Sequence, residues 1–157
     1  MKPAADVPLS FAHLGALEVG PPELFDVLAE AGFASTGIRM RRAAPGSPEY
    51  ALSDPAARRE TKRRIAQSGV EVLYIELVAL SRFLDARELS SMFEAGADIG
   101  ATRITASGDD QDPAVVADKL AEVCELARSY GLAVDVEFMP FRAVRTLDDA
   151  VRVVSMA

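Results

Sequence analysis

The chain has 157 residues, half of them hydrophobic and 26% charged, the composition of one folded domain rather than of a disordered or collagen-like segment. Asp and Glu outnumber Lys and Arg by 24 to 17, a formal charge of −7, so no nucleic acid is expected as a partner. One cysteine, Cys124, excludes an internal disulfide and suits a reducing cytoplasm. No uncharged run approaches the ~18 apolar residues of a membrane span, the best stretch, VLYIELVAL, being interrupted by Glu76, and MKPAADVPLS does not read as a secretory leader.

The predicted elements alternate strand and helix. A first strand over Leu9–Leu14 carries His13, and a helix follows Pro21-Pro22 with Leu24, Val27, Leu28 and Ala31 on its apolar face. The second strand, Ser35–Met40, runs into Arg41 and Arg42, and Ser53-Asp54-Pro55 caps a charged second helix. The third strand is Val70–Val78, followed by a helical face of Leu89, Met92, Phe93 and Gly96. Arg103–Ser107 is the fourth strand. Asp112-Pro113 then opens a helix with Val116, Leu120, Val123, Cys124 and Ala127 inward. The fifth strand is Ala133–Phe138, and Thr146-x-x-Asp149 reads as a capping box that turns Leu147, Ala150, Val151 and Val154 toward the core. Gly32, Gly69, Gly100 and Gly131, spaced 37, 31 and 31 residues apart, each stop a helix and feed a strand.

Strand–helix repeats of this length build a parallel sheet covered by helices. A five-strand doubly wound sheet of the flavodoxin type fits the length, whereas a complete eight-unit barrel needs roughly 250 residues. The fifth strand separates the two. Leu132, Val134 and Val136 share one face, and Ala133, Asp135 and Glu137 share the other, as a barrel strand would between its helix layer and its lumen. In the third strand Leu73, Ile75 and Leu77 are expected to oppose Tyr74 and Glu76. The expected fold is therefore α/β, a parallel (β/α) barrel with about five of eight units, in a single partial domain over residues 1–157.

Candidate chemistry gathers at the carboxyl ends of the strands, where parallel α/β proteins place their sites. Glu137 stands there before Met139-Pro140, as a metal ligand or general base, or else in an ion pair with Arg142 or Arg145. Glu76 needs a partner or a wet cavity, with Arg39 or Arg103 as the structural choice. His13, the sole histidine, is a substrate contact or a hydrogen-bonded rim residue. Arg39 can hold a phosphate or carboxylate, while Arg41, Arg42 and the run Arg58–Arg64 read as solvated. Phosphate-loop, dinucleotide, serine-hydrolase and zinc-protease motifs do not occur.

The segments HLGALEVGPPELFDVLAEAGFASTGIRM, VEVLYIELVAL and above all LAVDVEFMPFRAVRTLDDAVRVV resemble the sugar-phosphate isomerase/epimerase family with the xylose isomerase-like TIM barrel. The resemblance implies a divalent metal, Mn²⁺ or Mg²⁺, held by Glu, Asp, His and Glu from strands five to eight. Two glutamates then move a proton on a hydroxy-carbonyl sugar or sugar phosphate through an ene-diolate. Glu137 alone matches, as the first ligand and catalytic glutamate; His13, Arg39 and Glu76 are read as substrate contacts from their strand-end positions. The other three ligands have no match up to Ala157, so this chain alone is expected to be a portion of such a protein, weakly active or inactive, and to bind no metal tightly. A dehydratase of the same barrel family, and a non-catalytic relative that acts by association through exposed sheet edges, are the competing readings.

Overall fold

The computed structural model describes residues 7–42, 45–50 and 52–157; the first six residues of the segment read for a leader lie outside them. Five strands alternate with five helices: β1 (Ser10–Ala12), α1 (Pro21–Glu30), β2 (Ser35–Arg39), α2 (Pro55–Ser68), β3 (Glu71–Leu80), α3 (Ser90–Asp98), β4 (Arg103–Gly108), α4 (Pro113–Arg128), β5 (Ala133–Glu137) and α5 (Leu147–Met156). All neighbouring strands are parallel, in the order β1-β2-β3-β4-β5. A doubly wound sheet reverses direction partway along its order. Here every crossover advances to the next strand, and right-handed crossovers of that kind put all the helices on one face. The architecture is a barrel wall of five units, with β1 and β5 as its edges among the described residues.

Local chemistry explains the punctuation. Asp54 and Asp112 accept backbone N–H bonds at the starts of α2 and α4, each followed by proline at the first helical position. Thr146 and Asp149 complete the capping box of α5. The four helix-stop glycines all have positive φ, from 70° to 98°, where a side chain would be strained.

Four expectations change. The first strand ends at Ala12, because His13 begins a single 3₁₀ turn over His13–Ala16. In α1 the buried residues are Pro21, Leu24, Phe25 and Leu28, and Val27 is exposed. In β3 the strict alternation fails: irregularities in pairing on both sides of Tyr74–Glu76 bring Val72, Ile75, Val78 and Leu80 into the core. Leu73 and Leu77 are thereby left out of that layer. In α5 only Ala150 and Val153 are buried, while Leu147, Val151 and Val154 face solvent.

The core fills the space between sheet and helices: Ile38, Ile75, Ile104 and Ala106 from the strands meet Leu24, Phe25, Phe93, Leu120 and Val123 from the helices. Val134 and Val136 pack against it as expected, so the alternate residues of β5 lie on the other face. Gly96 permits the closest helix–sheet approach, since a Cβ there would sit 2.5 Å from Ile75 Cδ1.

Candidate functional site

The face of the sheet away from the helices carries a row of polar side chains set by register. Arg39 of β2 lies opposite Glu76 of β3, Glu76 opposite Thr105 of β4, and Thr105 opposite Asp135 of β5; Ser107 lies opposite Glu137. Same-register residues in adjacent strands share a face, so four strands aim polar groups at one surface.

Arg39 and Glu76 are each about 7% exposed, and Arg39 Nη1 stands 3.8 Å from Glu76 Oε2. Of the two arginines considered for Glu76, the structure brings Arg39; Arg103 instead pairs with Asp135. Arg39 also donates Nε–H to Arg41 O at 3.2 Å. Glu76 Oε1 is buried with no hydrogen-bond partner. Burial pushes the Glu76 carboxyl above its ordinary 4.5; Arg39 opposes the shift and the charge of Glu137 adds to it. Tyr74 lies on the same face, its ring covering Gly37, where a Cβ would come within 2.1 Å of it. Its hydroxyl is pushed up by burial and by the charges of Glu76 and Glu137.

His13 is fully buried at the end of β1. Its Nδ1 accepts the Arg39 backbone N–H at 3.2 Å, so Nε2 carries the proton donated to Val19 O at 2.9 Å. The ring stacks on Tyr50, with centroids 5.3 Å apart, and Tyr50 donates its hydroxyl to Leu17 O. Both imidazole nitrogens are thus committed to backbone, and burial, with the nearby Arg39 charge, pulls the pKa below 6.5 against the Val19 bond.

Glu137 ends β5, exposed, and among the described residues it has no hydrogen-bond or ion-pair partner. Arg142 pairs instead with Asp109, and Arg145 donates to Arg142 O at 3.4 Å. The turn after β5 holds Arg142 in place: Met139 N–H donates to Val144 O, Arg142 N–H to Met139 O, and Ala143 and Val144 N–H to Gly108 O. This close approach to β4 needs glycine, because a Cβ on Gly108 would meet Val144 Cγ2 at 2.2 Å. Ser107, fully buried, donates to Asp109 Oδ1 at 3.1 Å, linking β4 to Arg142 through Asp109. The sequence pattern marks no site role for Tyr74, Ser107 or Asp109, and it offers Arg142 only as a partner for Glu137. Their signal was the strand-end position itself, which applies equally to β4 and to the turn after β5.

At the carboxyl ends of β2 and β3 a cavity of about 460 Å³ is lined by Arg39, Leu77, Ala79 and Arg142, with Arg41 and Arg42 at its rim. A larger groove of about 850 Å³ lies between the Arg82–Arg87 connection and Lys119–Ser129 of α4 and its end, against the helix layer and away from the strand-end carboxylates. We place the site at the smaller cavity because buried Arg39, the partner of Glu76, lines it at the carboxyl ends of the strands. A divalent cation does not fit the donors of this chain by themselves. Among the described residues no three His, Cys, Asp or Glu side chains come together to hold one; Glu76 faces Arg39 and the nitrogens of His13 are occupied.

No protein-family model and no curated protein matches this sequence. Solved structures do. A xylose isomerase domain-containing protein from Salmonella typhimurium aligns with TM-score 0.77 and 15% identity over 93% of this chain and 55% of its own. The IolI protein, solved with a bound zinc atom, gives 0.72 and 20% over 95% and 58%. A xylose isomerase-like TIM barrel protein from Mycobacterium smegmatis, in complex with magnesium, gives 0.69 and 16% over 96% and 61%. The chain thus spans somewhat more than half the length of these proteins. It is an α/β protein of the parallel barrel class. Within that class its fold is that of five βα units of the xylose isomerase-like TIM barrel, and its neighbours include a sugar phosphate isomerase/epimerase. No helix among the described residues is long and apolar enough to cross a membrane.

Proposed function

We propose that the chain, as one partial barrel domain over residues 1–157, acts on a sugar or sugar phosphate by isomerisation or epimerisation, with Glu137 as its base. The observation that carries this is an unpaired carboxylate at the carboxyl end of β5, on the polar face that also holds Arg39 and Glu76. Glu137 removes the proton from the hydroxyl-bearing carbon next to the carbonyl, leaving an ene-diolate. Its return to the neighbouring carbon, with the hydroxyl proton passing to the former carbonyl oxygen, gives the isomer, and protonation of the original carbon on its opposite face gives the epimer. Glu76 stands beside Arg39 at the substrate and orients its guanidinium, which donates to a substrate oxygen. His13 serves through Arg39, whose backbone N–H it fixes. Glu137 is also the residue we assign as a ligand of a divalent metal, which has no part in these steps. It stands exposed, with no second carboxylate paired to it among the described residues, so turnover by the chain alone is slow.

Deuterium exchange at the carbon next to the carbonyl, followed by proton NMR over a panel of hydroxy-carbonyl sugars and their phosphates, tests the reading. Exchange by the native chain that disappears in Glu137→Gln, with an unchanged circular dichroism spectrum, is the expected result. Exchange that survives in Glu137→Gln would overturn it.

A second reading has its own observation. The open edge at β5 and the exposed Leu147, Val151 and Val154 favour association of copies of the chain. A cytoplasmic setting is supported by Cys124, a single half-buried thiol whose pKa burial pushes up, away from the reactive thiolate.

A further inference from the structure

We infer that the cavity at the carboxyl ends of β2 and β3 seats an anionic group of the substrate, a phosphate monoester or a carboxylate, between Arg39 and Arg142. The inference rests on the sugar or sugar-phosphate reading and narrows it to substrates bearing a negative charge. Four guanidinium groups line this cavity, Arg39, Arg41, Arg42 and Arg142, against two carboxylates, Glu49 and Glu88, in a chain whose formal charge is −7. Positive charge is therefore concentrated here against the balance of the whole molecule, as an anion site requires.

The cations differ in how far they are neutralised. Arg42 is spent on Glu49, 3.0 Å away, and on Ser47 O. Arg142 gives Nη1 to Asp109, and its Nη2 makes no hydrogen bond among the described residues. Arg39 gives Nε to a backbone carbonyl, and its nearest carboxylate oxygen, at 3.8 Å, lies beyond hydrogen-bonding distance. Two guanidinium groups thus keep unused N–H donors at the wall of one cavity. Guanidinium donors left without an acceptor are open to charge-assisted bonds from an oxyanion. Leu77 and Ala79 add an apolar stretch to the wall of the same cavity, which lowers the polarity around the guanidinium groups. About 460 Å³ falls within the range of small-molecule sites.

Titration of the full chain with inorganic phosphate, glycolate and glycerol, by calorimetry and by amide NMR shifts, tests this without any turnover. Phosphate or glycolate is expected to bind, more weakly as salt is raised, and glycerol not to bind. Arg142→Gln should weaken the bound anion roughly tenfold or more. Ala79→Asp, which adds a carboxylate to the wall, should do the same. Binding of phosphate alone assigns the site to phosphate monoesters, and binding of glycolate alone to carboxylates. If Arg142→Gln fails to fold, Arg41→Glu on the exposed rim gives the same reading. Failure of both anions to bind, glycerol binding as tightly, or affinity indifferent to Arg142→Gln and Ala79→Asp overturns the inference. Because the readout is equilibrium binding, loss of the isomerase reading by deuterium exchange leaves this result standing, and the reverse also holds.

Discussion

His13 and Glu76 lie on either side of Arg39, and their pKa values move in opposite directions. His13 is the only histidine, so its ring gives a single imidazole resonance to follow by NMR. A second proton would have to go on Nδ1, which already accepts the Arg39 N–H, and would place a buried cation near the Arg39 guanidinium. We expect titration below 6.5 with the remaining proton on Nε2; a pKa at or above 6.5 would contradict the bond to Arg39. The stability that neutral His13 contributes is present above 6.5 and is lost as pH falls through the lowered value. Glu76 has the other sign. Its folded-state pKa is raised, so the native chain holds a proton that the unfolded chain releases. That contribution is complete below 4.5 and is lost as pH rises through the raised value. Glu76→Gln, which cannot ionise, should flatten the decline of the melting temperature with pH above 4.5. An unchanged slope would mean that Glu76 titrates normally.

At the level of the elements, β2 and β3 are locked by a contact that leaves no space for a methyl group. The Tyr74 ring occupies the place of a Gly37 side chain, so Gly37→Ala must displace the ring or the strand, at about 1–3 kcal/mol in denaturant unfolding. The α5 cap is a more modest device: Thr146→Ala should cost about 1 kcal/mol and leave the rest of the fold in place. Caps and helix stops of this kind were legible because their chemistry is local, set by Asp-Pro, Thr-x-x-Asp and glycine at the helix ends. The strand faces were less so. In β5 Val134 and Val136 alternate with Asp135 and Glu137 as expected, whereas in β3 two pairing irregularities take Leu73 and Leu77 off the helix-facing layer, a non-local outcome that no periodicity of β3 alone encodes. The site was legible in the same uneven way. Strand ends pointed to Arg39, Glu76 and Glu137, but the join of Ser107, Asp109 and Arg142 depends on a turn folding back onto Gly108, between residues more than 30 positions apart.

Across the whole molecule, the sheet has an unpaired edge on each side among the described residues, and the helix beside one of them presents an apolar stripe. Leu147, Val151 and Val154 recur at helical spacing and are 55–62% exposed, although the same helix buries Ala150 and Val153 on the adjoining face. Burial of such a stripe against a second copy is favoured by the hydrophobic effect and opposed by a charge of −7 on each chain. The balance depends on salt, since the Debye length is about 8 Å at roughly 0.15 M ionic strength and longer in dilute buffer. Sedimentation velocity should therefore show association that grows with protein concentration and with added salt. Val151→Lys combined with Val154→Lys places charge on the stripe without touching the buried side of α5, and should hold the chain monomeric with its melting temperature little changed. A native chain that stays monomeric at every concentration and salt, or a double variant that associates as strongly as the native chain, would show that copies do not meet through this helix.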